Sequence, residues 1–183
     1  MLDAYRTDKQ AKEFIAYIAG VYHDNLQELL NSCDYFCAYC DGSTDGTNSE
    51  KELVMVHVLV DYYPKIKFLK LVEPPNTKAA GIFQAIGSAF RDFGFTNMEY
   101  TKKMIGFGSD GANKMLGERQ GVIKLLKEEG QAPWVLSVWC LAHRIELAVK
   151  DYFKDTYMDQ VTDVYNLVYY FYKGSAKRNR EVE

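Results

Sequence analysis

The sequence predicts an α/β fold built on a mixed five-stranded sheet flanked by helices on both faces. Three observations carry that prediction. Between residues 35 and 72, β-branched and aromatic runs follow one another with only short turns between them, the pattern of an antiparallel meander. Beyond residue 75 the apolar runs shorten and alternate with segments of helical period, the pattern of parallel strands joined by helices. Two of the short strands, in FCAYCDG and IGFGSDG, each run out on an aspartate followed at once by glycine.

Taken in order, residues 8–32 carry Phe14, Ile15, Ile18, Val21, Tyr22, Leu26, Leu29 and Leu30 at close to helical spacing, with Gly20 as a weak point. A strand is expected at 35–40, then a turn, GSTDGTNS. The run 52–63, ELVMVHVLVDYY, is too continuous for a one-sided strand and is placed centrally in the sheet. Pro64 and Lys65 are expected to turn the chain into a third strand over 66–72, which Pro74 and Pro75 stop. Thr77 reads as an N-cap for a helix over 78–93, with Ile82, Ile86, Ala89, Phe90 and Phe93 on one stripe and Gly94 at its end. A strand over 104–107 leads to Asp110. A helix over 115–129, a strand over 135–139 and helices over 141–153 and 157–173 complete the chain.

Three meander strands followed by two strands set between helices make the ribonuclease-H-like arrangement. In that fold the first and fourth strands are neighbours. Asp41 and Asp110 would then meet at the rim of the sheet, although 69 residues (110 − 41) separate them. The expected organisation is a helical lead-in over 1–34, a ribonuclease-H-like core over 35–156, and a helix with a polar tail over 157–183.

Composition bounds the function. A chain of 183 residues can bury one real core. A net charge of −3 excludes a uniformly basic nucleic-acid binder but not a local basic patch. No apolar run is long enough to span a bilayer, so no membrane partner is expected. The start, MLDAYRTDKQ, lacks the apolar core of a secretory signal. An intracellular protein is therefore expected, with Cys33, Cys37, Cys40 and Cys140 as reduced thiols.

The site candidates begin with Asp41 and Asp110. Two carboxylates at a sheet rim offer the oxygen ligands that Mg²⁺ or Mn²⁺ require, and two alone should bind such ions weakly. The competing reading is that both are turn residues, since Asp before Gly is a frequent turn pair. The segment from Asp41 to Glu52 also matches a calcium loop at Asp41, Ser43, Asp45, Gly46 and Glu52. That loop needs a helix on each side, and here the flanks are strand-like. DGSTDGT occurs too in nucleotide-sugar glycosyltransferases, where a helix follows the motif and an Asp-x-Asp pair comes later; this chain contains no Asp-x-Asp. Cys37 and Cys40 with Cys140 and His143 suggest zinc by spacing alone. Residues three apart in a strand face opposite sides, so Cys37 and Cys40 cannot share a metal and no zinc is expected. His143 either braces its helix or lies near the reacting phosphate. His57 reads as a core or cross-strand residue and His23 as surface. Gly108, Gly111, Gly117 and Gly121 form no phosphate loop, because no Gly-Lys-Ser/Thr comes after them. Lys114, Arg119 and Lys124 either touch a nucleic-acid backbone or form a solvated helix face. Lys177, Arg178 and Arg180 are too few for a nuclear-import signal.

Three segments, CDGSTD, GFGSDGANKMLGERQGV and WCLAHRIELA, occur in this order, and the chain resembles the catalytic core of hAT-superfamily transposases and their domesticated descendants, zinc finger proteins among them. The resemblance runs from about residue 34 to residue 180. It implies a ribonuclease-H-like fold, with Asp41 and Asp110 as two of three catalytic acids and Cys140 and His143 as the family's Cys-x-x-His. The third acid, a Glu beyond a large helical insertion, would lie past the end of this chain. The implied chemistry is two-metal phosphoryl transfer. The implied protein is a fragment of a domesticated hAT-type transposase, without catalysis of its own, acting as a nucleic-acid-linked or protein-interaction module in transcriptional regulation. The alternative is part of an active DNA transposase that takes a downstream Glu. The resemblance also implies a nuclear location, DNA or nuclear proteins as partners through the full-length parent, and oligomerisation outside this chain.

Overall fold

The structure, a computed structural model, describes residues 7–44, 50–96, 98–117 and 119–173. The turn residues 45–49, including Asp45 and Gly46, and the basic tail with Lys177, Arg178 and Arg180 lie outside the described residues. The chain divides into two compact units, Met1–Cys140 and Leu141–Glu183.

The first unit holds a five-stranded sheet in the order β3-β2-β1-β4-β5, with ribonuclease-H-like topology. Its strands are β1 (Phe36–Thr44), β2 (Glu50–Val60), β3 (Tyr63–Val72), β4 (Met104–Ser109) and β5 (Leu136–Trp139). β1, β2 and β3 pair antiparallel, whereas β4 and β5 add in parallel. Parallel neighbours need a crossover, and helices supply it. These are α2 (Ala79–Arg91) and the short α3 (Glu99–Lys103) before β4, then α4 (Asn113–Leu116) and α5 (Val122–Glu128) before β5.

The long first helix, α1 (Asp8–Ser32), opens on a capping box. The Gln10 N–H donates to Thr7 Oγ1 at 3.4 Å, and the Thr7 N–H donates to Gln10 Oε1 at 3.2 Å. At the other end, Lys103 Nζ donates to the carbonyls of Leu30, Asn31 and Cys33 at 3.1, 2.7 and 2.9 Å. A cation there satisfies carbonyls that the helix cannot and complements its dipole. Only Leu26 and Leu30 of α1 are buried.

One face of the sheet carries Ala38, Cys40, Val54, Val56 and Val58, all buried with Ile82, Ile86, Phe90, Val122 and Leu126 of α2 and α5. A stack ties three elements together: Phe36 lies 5.4 Å from Phe90, and Phe90 lies 4.4 Å from Tyr100, ring centroid to ring centroid. All five predicted stripe residues are buried, four of them in α2 and Phe93 just beyond its end. The odd-numbered residues of β1, Cys37, Tyr39 and Asp41, point to the opposite face, so Cys37 and Cys40 diverge as the pleat requires.

Several local expectations need correction. β1 does not stop at Cys40; it runs through Asp41 to Thr44 because it forms a hairpin with β2, in which Asp41 pairs with Leu53 and Thr44 with Glu50. Pro64 and Lys65 are not the second turn. The turn is Asp61 and Tyr62, both at positive φ (51° and 66°), the pattern of a type I′ hairpin. Pro64 lies in β3, an edge strand that tolerates a missing N–H. Thr77 is not the N-cap of α2; Lys78 is, and its N–H is taken by Asn76 Oδ1 at 3.1 Å. The helix expected over 115–129 is two helices. At Gly121 a Cβ would come within 2.5 Å of the Gly117 nitrogen, so the backbone doubles back there. α3, with buried Tyr100 and Thr101, was not foreseen, because five residues are too few to show a period.

The second unit consists of α6 (Leu141–Phe153) and α7 (Tyr157–Lys173), at the positions the sequence predicts. Neither has a buried residue. Among the described residues no helix is long and apolar enough to cross a membrane.

Candidate functional site

The site is built where β1 and β4 run side by side. Their parallel register pairs Ala38 with Phe107 and Tyr39 with Gly108. Asp41 lies two residues beyond Tyr39, and Asp110 two beyond Gly108. Each predicted carboxylate thus lies two residues beyond the last pair of this ladder, Asp110 just past the end of β4 and Asp41 within β1, which runs on to Thr44. Open α/β sheets place their ligands at the carboxyl ends of their strands. Asp41 is exposed and Asp110 half-buried.

Glycines make the β1–β4 contact possible. A Cβ on Gly106 would stand 2.9 Å from Cys37 Sγ, and one on Gly108 2.5 Å from the Tyr39 ring. Asp110 is then held by its surroundings. Its Oδ1 accepts the Ala112 N–H at 3.0 Å, an Asx-type turn. Its carbonyl accepts the Trp139 indole N–H at 2.7 Å. Gly111 comes next at φ 85°, and a Cβ there would sit 1.9 Å from Trp139 Nε1. The Cys140 N–H donates to the Ser109 carbonyl at 2.8 Å, fixing β5 against the same corner. Asp110 is a turn residue through Oδ1, one of the two roles considered for it.

Sequence reasoning named a further acid, Glu52, only as the last position of a calcium loop and missed its place in the fold. It faces Gly42 across the hairpin and is 1% exposed. The bare Gly42 makes room for it, since a Cβ there would be 2.9 Å from Glu52 Oε1. Cys40 Sγ donates to Glu52 Oε2 at 3.2 Å. Glu52 Oε1 has no hydrogen-bond partner and lies 3.9 Å from Lys114 Nζ, which also stands 3.8 Å from Glu50 Oε2. Burial pushes the Glu52 carboxyl above the usual carboxylate range, and the charges of Glu50 and Asp110 push the same way. The Cys40 thiol is raised as well, by burial and then by Glu52, and is chemically inert. The signal for Glu52 was present in the period-two pattern: Glu52, Val54, Val56 and Val58 share one face, and that face is the buried one.

The remaining predicted residues divide between the two units. Cys140 closes the first unit as an exposed free thiol. His143 lies on α6 in the second unit, with Nδ1 3.6 Å from Glu146 Oε2 on the same helix. Among the described residues no three His, Cys, Asp or Glu side chains converge as a metal-binding group. The described part of the motif, Asp41 to Thr44, lies within β1, and β2 begins at Glu50, so the flanks are strands and not the helices that a calcium loop or the glycosyltransferase motif requires. Lys124 pairs with Glu128 one turn on, as on a solvated helix face. His57 stands beside Tyr39, ring centroids 6.1 Å apart, as a cross-strand residue. His23 stacks on Phe93 at 4.3 Å and is half-buried rather than a plain surface residue. No family model matches the chain.

Proposed function

We propose that the chain is the core of a domesticated hAT-type transposase, retained as a nucleic-acid-linked or protein-interaction module in nuclear regulation and without strand-cleavage activity of its own. The observation that supports this reading is the parallel β1–β4 register in a ribonuclease-H-like sheet, since Asp41 and Asp110 each follow its last pair, Tyr39 with Gly108, by two residues. Two-metal phosphoryl transfer uses a symmetric clamp of carboxylates around ions about 4 Å apart. With two acids the clamp is incomplete, so Mg²⁺ or Mn²⁺ should bind weakly at Asp41 and Asp110 and transfer should not proceed. Glu52 does not complete it. Glu52 belongs to the opposite face of the hairpin from Asp41 and is committed to Cys40 and Lys114.

Thermal melts test the reading. Millimolar Mg²⁺ or Mn²⁺ should raise the melting temperature of the parent chain by a small amount through mass action on the folded state. Asp41→Ala combined with Asp110→Asn should abolish that rise while leaving the fold intact. Asparagine is chosen because it keeps an acceptor for the Ala112 N–H. DNA incubated with the chain and either metal should stay uncut. A metal-induced rise that survives in the double variant, or cleavage that the variant does not lose, would sink the assignment.

A further inference from the structure

We propose that the cleft between the start of α2 and the α4–α5 segment is a phosphate-binding site, distinct from the Asp41–Asp110 pair. The cleft has a volume of about 820 Å³ and is lined by Lys78, Lys114 and Arg119 together with Thr77, Asn113 and Gln120. Three cations converge there in a chain whose net charge is −3. None of the described residues lining the cleft is acidic. Lys78 and Arg119 are exposed, and neither forms an ion pair with a described residue. The thirteen-residue α2 begins at this cleft, and its dipole adds to the positive field. Side-chain amides and a hydroxyl beside the cations complete a donor-rich lining, which suits phosphate oxygens.

Lys114 connects this cleft to the buried acids. It lines both the large cleft and a small cavity of about 80 Å³ bounded by Gly42, Ser43, Glu50 and Glu52. Glu50 and Glu52 therefore draw on Lys114, whereas Lys78 and Arg119 have no ion-pair partner among the described residues. The cleft lies with the helices on the Cys40 side of the sheet, whereas Asp41 projects from the other side of β1. The proposal goes beyond the transposase reading and does not require it, since neither Lys78 nor Arg119 is a metal ligand.

The shared chemistry is the phosphate group, carried either by a small free phosphate ligand or by a nucleic-acid backbone. Two probes separate these sources: inorganic pyrophosphate, followed by calorimetry, and a short labelled single-stranded oligodeoxynucleotide, followed by fluorescence anisotropy. The variant is Lys78→Gln with Arg119→Gln, whose side chains hold no described partner, and a thermal melt confirms that it folds. Affinity for at least one probe should fall tenfold or more in the variant, with a shallower salt dependence. Pyrophosphate binding alone assigns the site to a small phosphate ligand. Oligonucleotide binding that pyrophosphate competes away assigns it to a phosphodiester backbone. No binding of either probe, or affinity that the double substitution leaves unchanged, overturns the proposal. Both results are independent of metal, so a failed metal melt and a failed phosphate titration are told apart.

Discussion

Glu52 is the residue whose chemistry the fold alters most. Its carboxyl is buried against Cys40 and faces Lys114 at a distance too long for a hydrogen bond. Because burial raises its pKa, the folded chain holds a proton that the unfolded chain releases. Stability contributed by this group therefore falls as pH rises from the ordinary carboxylate range through the raised value, then levels off. Glu52→Gln removes that dependence. In chemical denaturation the variant should match or exceed the parent by about 1 kcal/mol at alkaline pH, because no buried charge is left. The advantage should shrink as pH falls and the parent takes up its proton. A variant that loses several kcal/mol at the higher pH would mean that the Glu52–Lys114 attraction outweighs desolvation. Gly111 is the second sensitive residue. At φ 85°, with Trp139 Nε1 where a Cβ would stand, Gly111→Ala must both strain the backbone and expel the indole from Asp110. A loss on the order of 3 kcal/mol is expected, with a shift in tryptophan fluorescence. An alanine variant of parental stability would contradict the packing described for this corner.

Among the elements, α1 is the most uneven. Its last two turns are anchored by Leu26, Leu30 and the Lys103 cap, while Ile15, Tyr17, Ile18 and Val21 stand 64%, 76%, 70% and 61% exposed. A helical segment without buried side chains lacks the core packing that supplies most helical stability, and here the Tyr22 hydroxyl bond to the Phe68 carbonyl lies only at the end of that stretch. Amides over residues 12–22 should exchange with solvent much faster than those of residues 26–32 in native-state hydrogen exchange. Uniform protection along α1 would show that its apolar stripe is covered in solution. The β1–β2 hairpin is the opposite case. Its ladder continues past the end of β4 pairing, and this extension places Glu50 and Glu52 against Lys114.

At the scale of the whole molecule, the buried core is confined to the first unit. Every buried hydrophobic residue from Leu26 to Val135 precedes Leu141, and neither α6 nor α7 has one. The chain ending at Cys140 should therefore fold cooperatively by itself, with a melting temperature within a few degrees of the full chain. Residues 141–183 alone should be largely unstructured by circular dichroism, since short isolated helices are marginal in water. Collapse of the shorter chain to a molten state would show that the sheet depends on α6 and α7.

The sequence alone determined the class of the fold, the strand count, the limits of α1, α6 and α7, and the pairing of β1 with β4. These rest on period and chain direction: long stripes fix helices, and three meander strands followed by strands between helices leave few sheet orders. Asp41 and Asp110 were legible because each closes an apolar run next to glycine. What only the tertiary structure decided depends on contacts between distant segments. The true hairpin turn at Asp61 and Tyr62 was hidden because no glycine marks it and Tyr is not a usual choice at positive φ, while Pro64 offered a stronger local signal. α3 was too short to register, yet its Tyr100 completes the aromatic stack. Glu52 carried a readable pattern, but its meaning came from Gly42, Cys40 and Lys114, which the sequence scatters over residues 40–114 and the fold gathers at one end of the sheet. Burial and charge are sums over neighbours in space, and local sequence records neighbours only along the chain.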